Sequence, residues 1–528
     1  MFPPYQQQTP SQRHEIPTTV THDILRRRME KPQRHRLLHS FPLAAAMPPV
    51  TPEDAERGFR AFPLDSIAGR KLLVGVLPHP FCNPTIQGCG FCTFPHEQFS
   101  SAKAATVATR IERELQQRLV AQPDLAGRQI SGLYFGGGTA NLTPAESFRT
   151  LCRTLQTTFN LSQAEVTLEG VPGNFIRRHP LLLDILDEEL APRHRRISMG
   201  IQSFDEQRLK SMGRLGYGTG PVFAEVVKDA HRRGMTASGD LLFNLPHQSL
   251  AEMRSDVQQA CEIGLDHIGL YHLVAFRGLK TAWSQDPAML AALPRQSVAV
   301  ENWQALREQL LDAGFVQTSL TNFERSEFCK QPSRFQYEEH SFQPDQYEML
   351  GLGPSAISCG GNKEFSSAWK SINPESSHDY IAAVDSKPLI PDRAFRYDRD
   401  DLKAFYLTRR LSALSIDVSR YRELFDADPA EDFPEEFAAS MAEGLLEYSI
   451  HNTNPQRQRG RDTSTPVGQS SVVETLIQPT PRGMFFSDSI SALLAAPRLR
   501  AHRRRGSVPD PADGPGTPTE NDNMYGHM

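Results

Sequence analysis

Residues 71–95 read KLLVGVLPHPFCNPTIQGCGFCTFP, an apolar run followed at once by a turn-rich loop that carries three of the chain's seven cysteines. Lys71–Leu77 has the apolar texture of a fully buried strand, and the prolines at 78 and 80 end it. Five more short β-compatible runs follow, at Gly132–Phe135, Glu165–Glu169, Ile197–Ile201, Asp240–Phe243 and His267–Leu273. Stretches of helical period lie between and after them: Ala104–Val120, Pro144–Phe159, Ile176–Glu189, Val222–Arg233, Leu250–Ile263 and Val298–Ala313. Strand then helix, about six times over, calls for an α/β fold with a parallel sheet. Such units fit an open doubly wound sheet or a complete or partial barrel, and periodicity does not choose between them. In each, ligands sit at the strand C-termini.

Outward from this stretch, the 528 residues are too many for one ordinary domain of roughly 100–200 residues. Residues 1–66, rich in Pro, Gln, Arg and His, carry no sustained period and read as a disordered or weakly docked extension. The strand–helix alternation occupies 67–364. Beyond about Phe365 the chain reads as a smaller, mostly helical domain, 365–495, with helices at Ser377–Asp385 and Asp400–Leu414 and a terminal segment at Pro481–Leu494. An insertion without an apolar face, about 451–471, interrupts that domain, and 496–528 read as a disordered tail. Apolar residues make up 39% and charged ones 23%, with a net charge of −5. No basic field is present to attract nucleic acid or anionic lipid. Seven unevenly spread cysteines do not make a disulfide framework and point to a reducing, cytoplasmic setting. No apolar run approaches the ~20 residues that span a bilayer.

Cys82, Cys89 and Cys92 form a C-x6-C-x2-C pattern. The C-x2-C pair makes a tight loop and the longer loop brings the third sulfur back, so the three thiolates can converge on one metal or cluster. The alternatives are a zinc ion completed by His79 or His96, or three ordinary thiols. With three cysteines on a [4Fe–4S] cluster, one iron lacks a protein ligand and is open to a small molecule, which signals chemistry rather than electron storage. Downstream, Gly136–Gly137–Gly138–Thr139 follows the second strand, where glycines let backbone amides approach a polar ligand. Glu169 closes the third strand, Gln202 follows the fourth and Asp240 opens the fifth. Polar groups thus recur near the strand ends.

In order and spacing over roughly Lys71–Ile357, these motifs resemble the radical S-adenosylmethionine proteins related to oxygen-independent coproporphyrinogen III oxidase. The likeness rests on the three-cysteine loop, GGGT, a strand ending in Glu, SMGIQSFD with Arg214 in SMGR, and DLLFNLPHQS. YEMLGLGPSAIS (Tyr347–Ser358) and PTPRGMFFSDSI (Pro479–Ile490) are similar to that family's inter-domain motif and small C-terminal domain. The resemblance implies a partial (β/α)6 TIM-type barrel. It implies a [4Fe–4S] cluster on Cys82, Cys89 and Cys92 that binds S-adenosylmethionine at its open iron, and a 5′-deoxyadenosyl radical that abstracts hydrogen from an unactivated C–H. It also implies one or two S-adenosylmethionine molecules, with Gly137, Gly138, Thr139 and Glu169 on the first, Phe91, Gln202, Arg214 and Asp240 on a second, and Ile357 packed near the first. The partners it implies are a porphyrinogen or heme and a reducing donor such as flavodoxin or ferredoxin.

Three departures bear on the reaction. The family's usual spacing is C-x3-C-x2-C, three residues shorter between the first two cysteines. The porphyrinogen oxidase carries a fourth cysteine and a tyrosine where this chain has Phe94 and Val76. Related heme chaperones carry an HNxxYW-type element where this chain reads QYEEHSFQPDQYEMLG, with His340 alone as a candidate. Three activities stay open: oxidative decarboxylation of porphyrinogen propionates, a methyl-transferring or other tailoring reaction that uses two S-adenosylmethionine molecules, and heme carriage without catalysis.

Overall fold

The six apolar runs become β1 (Lys71–Val76), β2 (Ile130–Phe135), β3 (Glu165–Gly170), β4 (His194–Gln202), β5 (Thr236–Phe243) and β6 (His267–His272), side by side in chain order and all parallel. The structure, a computed structural model, describes residues 20–33, 41–64, 69–82, 89–92, 94, 97–279, 281–329, 334–386, 391–453 and 472–505. These strands are covered on both faces, which is why β1 is buried from Leu72 to Val76 without polar alternation. The intervening helices turn one apolar stripe inward: in Ala145–Thr158 the buried residues Phe148, Leu151, Cys152 and Leu155 fall at helical spacing. Helix Leu250–Glu262 begins in a capping box, Ser249 with Glu252.

The row extends beyond six. On one side β6 meets β8 (Asn322–Arg325), which pairs with β7 (Phe315–Gln317), both antiparallel. On the other, β9 (Tyr347–Leu352) lies parallel to β1, and β10 (Ile357–Gly361), β11 (Ala368–Ile372) and β12 (Arg393–Tyr397) follow antiparallel. The twelve-stranded sheet runs from β12 to β7, and no pairing joins its two edges. Among the sequence's options the chain therefore takes the partial barrel. The sheet does not stop at 364, however: β11 and β12, expected within the second domain, complete its edge. Their sequences, AWKSI and RAFRY, alternate weakly and become strands because β10 offers a partner.

The remainder of the chain carries helices Arg399–Ser412 and Ser487–Arg504 and a three-stranded antiparallel sheet of Ile416–Asp417, Leu446–Thr453 and Val472–Pro479. The first residues of the expected insertion, 451–453, are thus in a strand, and 454–471 lie outside the described residues. Helix Ser487–Arg504 continues through Pro497 and buries Leu499 and His502, so the tail expected from 496 is helical through 504.

The N-terminal extension also departs from expectation. Helix Val20–Met29 buries Leu25 and Met29, and its His22 and Arg26 reach Glu443 at 2.6 and 2.5 Å. Phe41, Met47, Phe59, Phe62 and Leu64 are buried as well, and Ala394 of β12 donates to the Pro48 carbonyl. Scattered apolar residues without a period carry no sequence signal; they are buried by surfaces that only the folded remainder provides. Among the described residues no helix is long and apolar enough to cross a membrane.

Candidate functional site

The loop that leaves β1 is anchored on both sides of the cysteines. Phe81–Cys82 pairs in parallel with Glu97–Gln98, and Glu97 N–H donates to the Pro80 carbonyl at 2.9 Å. Cys82, Cys89 and Cys92 are half-buried. Thr139 lies 3.6 Å from Cys82 Sγ through its hydroxyl, and Arg214 Nη1 donates to Cys89 Sγ at 3.1 Å. Burial pushes the Cys82 thiol up to about 11, with Thr139 opposing and the Cys92 and Cys89 sulfurs close enough to add repulsion. A cation among the three sulfurs would relieve the repulsion that Cys82 meets. The one trio of His, Cys, Asp or Glu side chains whose ligand atoms all lie within 4.8 Å, among the described residues, is Asp398, Asp401 and His502. The cysteine sulfurs are spread more widely than the roughly 3.8 Å edge of a tetrahedral zinc site with Zn–S of about 2.3 Å. A cluster that gives each thiolate its own iron suits that spread. Of the two histidines considered for zinc, His79 is buried and its Nδ1 accepts from Phe81 N–H at 3.2 Å, while His96 lies outside the described residues.

The GGGT turn leaves β2 directly against this loop. A Cβ on Gly138 would stand 2.8 Å from the Phe81 carbonyl oxygen, so only glycine lets the turn approach the backbone ahead of Cys82. Gly137 and Gly138 are half-buried and Thr139 is buried. On β3, Glu169 is half-buried and accepts from the Tyr134 hydroxyl at 3.0 Å; burial raises its carboxyl to about 7. On β5, the Asp240 carboxyl accepts no hydrogen bond from any described residue, and burial followed by the nearby Glu169 charge raises it to about 8. Asp240 is the strand neighbour of Gly200. Over Gly200 meet Arg214, whose Nη2 donates to the Gly200 carbonyl, and Gln202, whose backbone has φ +71°.

These contacts link Cys82 to Thr139 and to the Gly138 turn, Cys89 to Arg214, and Arg214 and Gln202 to Gly200 beside Asp240, whose carboxyl feels the Glu169 charge. Phe91 sits in the cysteine loop. Ile357 lies at the start of β10, with its backbone against Gly351. Sequence reasoning missed Tyr134, Arg196 and Trp283. Tyr134 had a signal, since it lies two residues before Gly136 and therefore on the same strand face; the other two had none.

Below this layer the barrel is filled. Helix Gln336–Ser341 enters it: Tyr337 packs 5.2 Å from Tyr134, and Gln336 N–H donates to Glu165 at 3.1 Å. His340, the candidate heme contact, stacks on Tyr347 at 4.2 Å, and burial lowers it to about 4. It is not an ordinary surface histidine.

No protein-family model matches the chain. The chain is 24% identical over 429 residues to the oxygen-independent coproporphyrinogen III oxidase of Synechocystis sp., covering 78% of this chain and 86% of that one. It is 28% identical over 236 residues to the heme chaperone HemW of Escherichia coli K12, covering 43% of this chain and 56% of that one. The solved coproporphyrinogen III oxidase of Escherichia coli, titled a radical SAM enzyme, superposes with a TM-score of 0.65 at 19% identity, over 88% of this chain and 99% of that one.

Proposed function

Because the chain belongs to the radical S-adenosylmethionine family of the oxygen-independent coproporphyrinogen III oxidase type, we propose that it is a tetrapyrrole-acting oxidoreductase that converts porphyrinogen propionates to vinyl groups. The observation that carries this reading is the pair of half-buried acids, Glu169 and Asp240, pushed up by burial to about 7 and about 8, near a three-thiol loop. Such a pair is costly in an interior unless a cation joins it. S-adenosylmethionine brings a sulfonium and an ammonium.

Cys82, Cys89 and Cys92 would hold a [4Fe–4S] cluster, and Glu169, Gln202, Asp240, Thr139 and the glycine turn would hold S-adenosylmethionine. Together, when bound, these groups supply one-electron chemistry that removes a hydrogen atom from an unactivated C–H. The chain's residues orient and desolvate. Glu169, fixed by the Tyr134 hydroxyl, presents a carboxylate of set direction to the ligand's cation. Asp240, with no protein donor, is left for ligand hydroxyls or charge. Arg214 offers its guanidinium to Cys89 or to a carboxylate. Each propionate loses one hydrogen atom, one carbon dioxide and one electron, so an electron acceptor takes part.

The second reading, a tailoring methyl transfer, is supported by Phe94 and by Val76, which is fully buried and has no polar atom to offer where the oxidase carries a tyrosine. Anaerobic reconstitution with S-adenosylmethionine, a reductant, an electron acceptor and coproporphyrinogen III, read by mass spectrometry, separates the readings. A vinyl product with carbon dioxide release supports decarboxylation. A methylated product, or heme transfer without turnover, replaces it.

A further inference from the structure

β1 and β6 are the first and last of the six parallel strands, and no hydrogen-bonded pairing joins them. The loop leaving β1 carries the cysteines; the loop leaving β6 leads to a short helix, Ala282–Gln285. The two loops meet at Gly90. Trp283 N–H donates to the Gly90 carbonyl at 2.9 Å, and the indole packs on Phe91 with ring centroids 5.8 Å apart. The indole edge lies flat on the glycine: a Cβ there would stand 2.4 Å from Nε1 and 2.7 Å from Cδ1, and Gly90 has φ +58°. Trp283 is only 7% exposed. Thr281 fixes its helix, accepting from Ser284 N–H and donating to the Ser284 hydroxyl at 2.8 Å, both groups buried.

We propose that Trp283 is a positioning residue that clamps the Gly90–Phe91 bridge between Cys89 and Cys92, keeping those two sulfurs aimed at the cluster and covering that side of the loop against water and oxygen. The inference rests on the cluster reading above. Six residues in place of three between Cys82 and Cys89 cost little extra closure entropy, but a longer tether orients less. The direction of the Cys89–Cys92 bridge then has to come from a contact outside the loop. Trp283 supplies one from the loop that leaves β6, with a backbone hydrogen bond for position and a ring for cover.

The test uses the full chain, reconstituted anaerobically, as wild type, Trp283→Ala, Trp283→Phe and Gly90→Ala. Iron and sulfide per chain are measured first, then the decay of the visible cluster absorbance in air-saturated buffer. The shell around a metal site controls solvent access, so Trp283→Ala and Gly90→Ala are expected to bleach about tenfold faster than wild type, and Trp283→Phe within about twofold. A packing role alone would lower the melting temperature of the iron-free protein and leave the decay of bound cluster unchanged. That result, or wild-type decay in both alanine variants, overturns the clamp and leaves the cluster reading standing. A wild-type chain that takes up no iron overturns both. Should Trp283→Ala fail to fold, Gly90→Ala tests the same contact from the half-buried side of the loop.

Discussion

The two ends of the barrel interior both hold buried acids, and they treat them differently. At the lower end Glu165, raised to about 7 by burial, accepts from Gln336 N–H and the Thr167 hydroxyl, with Arg196 lowering it again. The charge of Arg196 also lowers Glu324 and Glu338; Glu324 accepts from Phe335 N–H at 3.1 Å, and Glu338 accepts from Asn322 and Ser319. Arg196 itself lies 3.9 Å over the Phe335 ring and touches His267. At the upper end Glu169 has one protein donor and Asp240 has none. The lower acids are satisfied by the chain, so their role is to fix the inner helix in the barrel. The upper acids are left for something that arrives from outside.

The sharpest way to break this contrast is at the cysteines. Cys89→Ala, which removes one of three ligands and the partner of Arg214, is expected to abolish iron uptake, whereas Cys152→Ala, buried among helix residues, is expected to keep it. Iron analysis after reconstitution decides, and equal loss in both would mean misfolding. Arg196→Met comes next. It removes the charge that lowers Glu165, Glu324 and Glu338 and the donor that reaches His267, and denaturant unfolding is expected to show a loss of about 1–3 kcal/mol, the scale of a lost buried hydrogen-bond partner. A neutral result would erase the distinction between the two ends.

Asp240→Asn has the opposite signature. It removes a carboxyl with no protein partner, so the fold is expected to keep its stability while S-adenosylmethionine affinity by calorimetry falls by about 1–3 kcal/mol. Unchanged affinity would move the ligand elsewhere. The smallest effect is in pH. Unliganded Glu169 and Asp240 hold protons up to about 7 and about 8. A cationic ligand favours their charged forms, so binding expels protons, and affinity is expected to rise with pH to about 8 and then level. The slope cannot exceed about tenfold per pH unit for each proton released. Asp240→Asn should flatten it; a falling affinity over that interval would contradict a cationic ligand.

Removal of residues 1–33 tests a different boundary. Leu25, Met29 and the His22–Glu443 contact anchor that arm to the C-terminal region, so the truncated chain is expected to melt lower. Retention of the full melting temperature would return the arm to the weakly docked extension that its composition suggests.

The amino-acid sequence by itself determined the alternation of strand and helix, because buried parallel strands and amphipathic helices each leave a local period. It determined the thiol loop, the GGGT turn and the polar strand ends too, since each is a short motif whose chemistry is carried by neighbours in the chain. Tertiary structure alone decided what those neighbours cannot encode. Trp283 meets Gly90 from the loop after β6, the charge of Arg196 reaches acids on three elements, and helix Gln336–Ser341 enters the barrel instead of lying on its surface. The same holds for β11 and β12, whose weak patterns become strands on an edge already built, and for Leu25 and Met29, buried by surfaces more than four hundred residues away in sequence. In each case the free energy lies in contacts between segments with no shared period, and a pairing of distant surfaces leaves no mark on either one until both are folded.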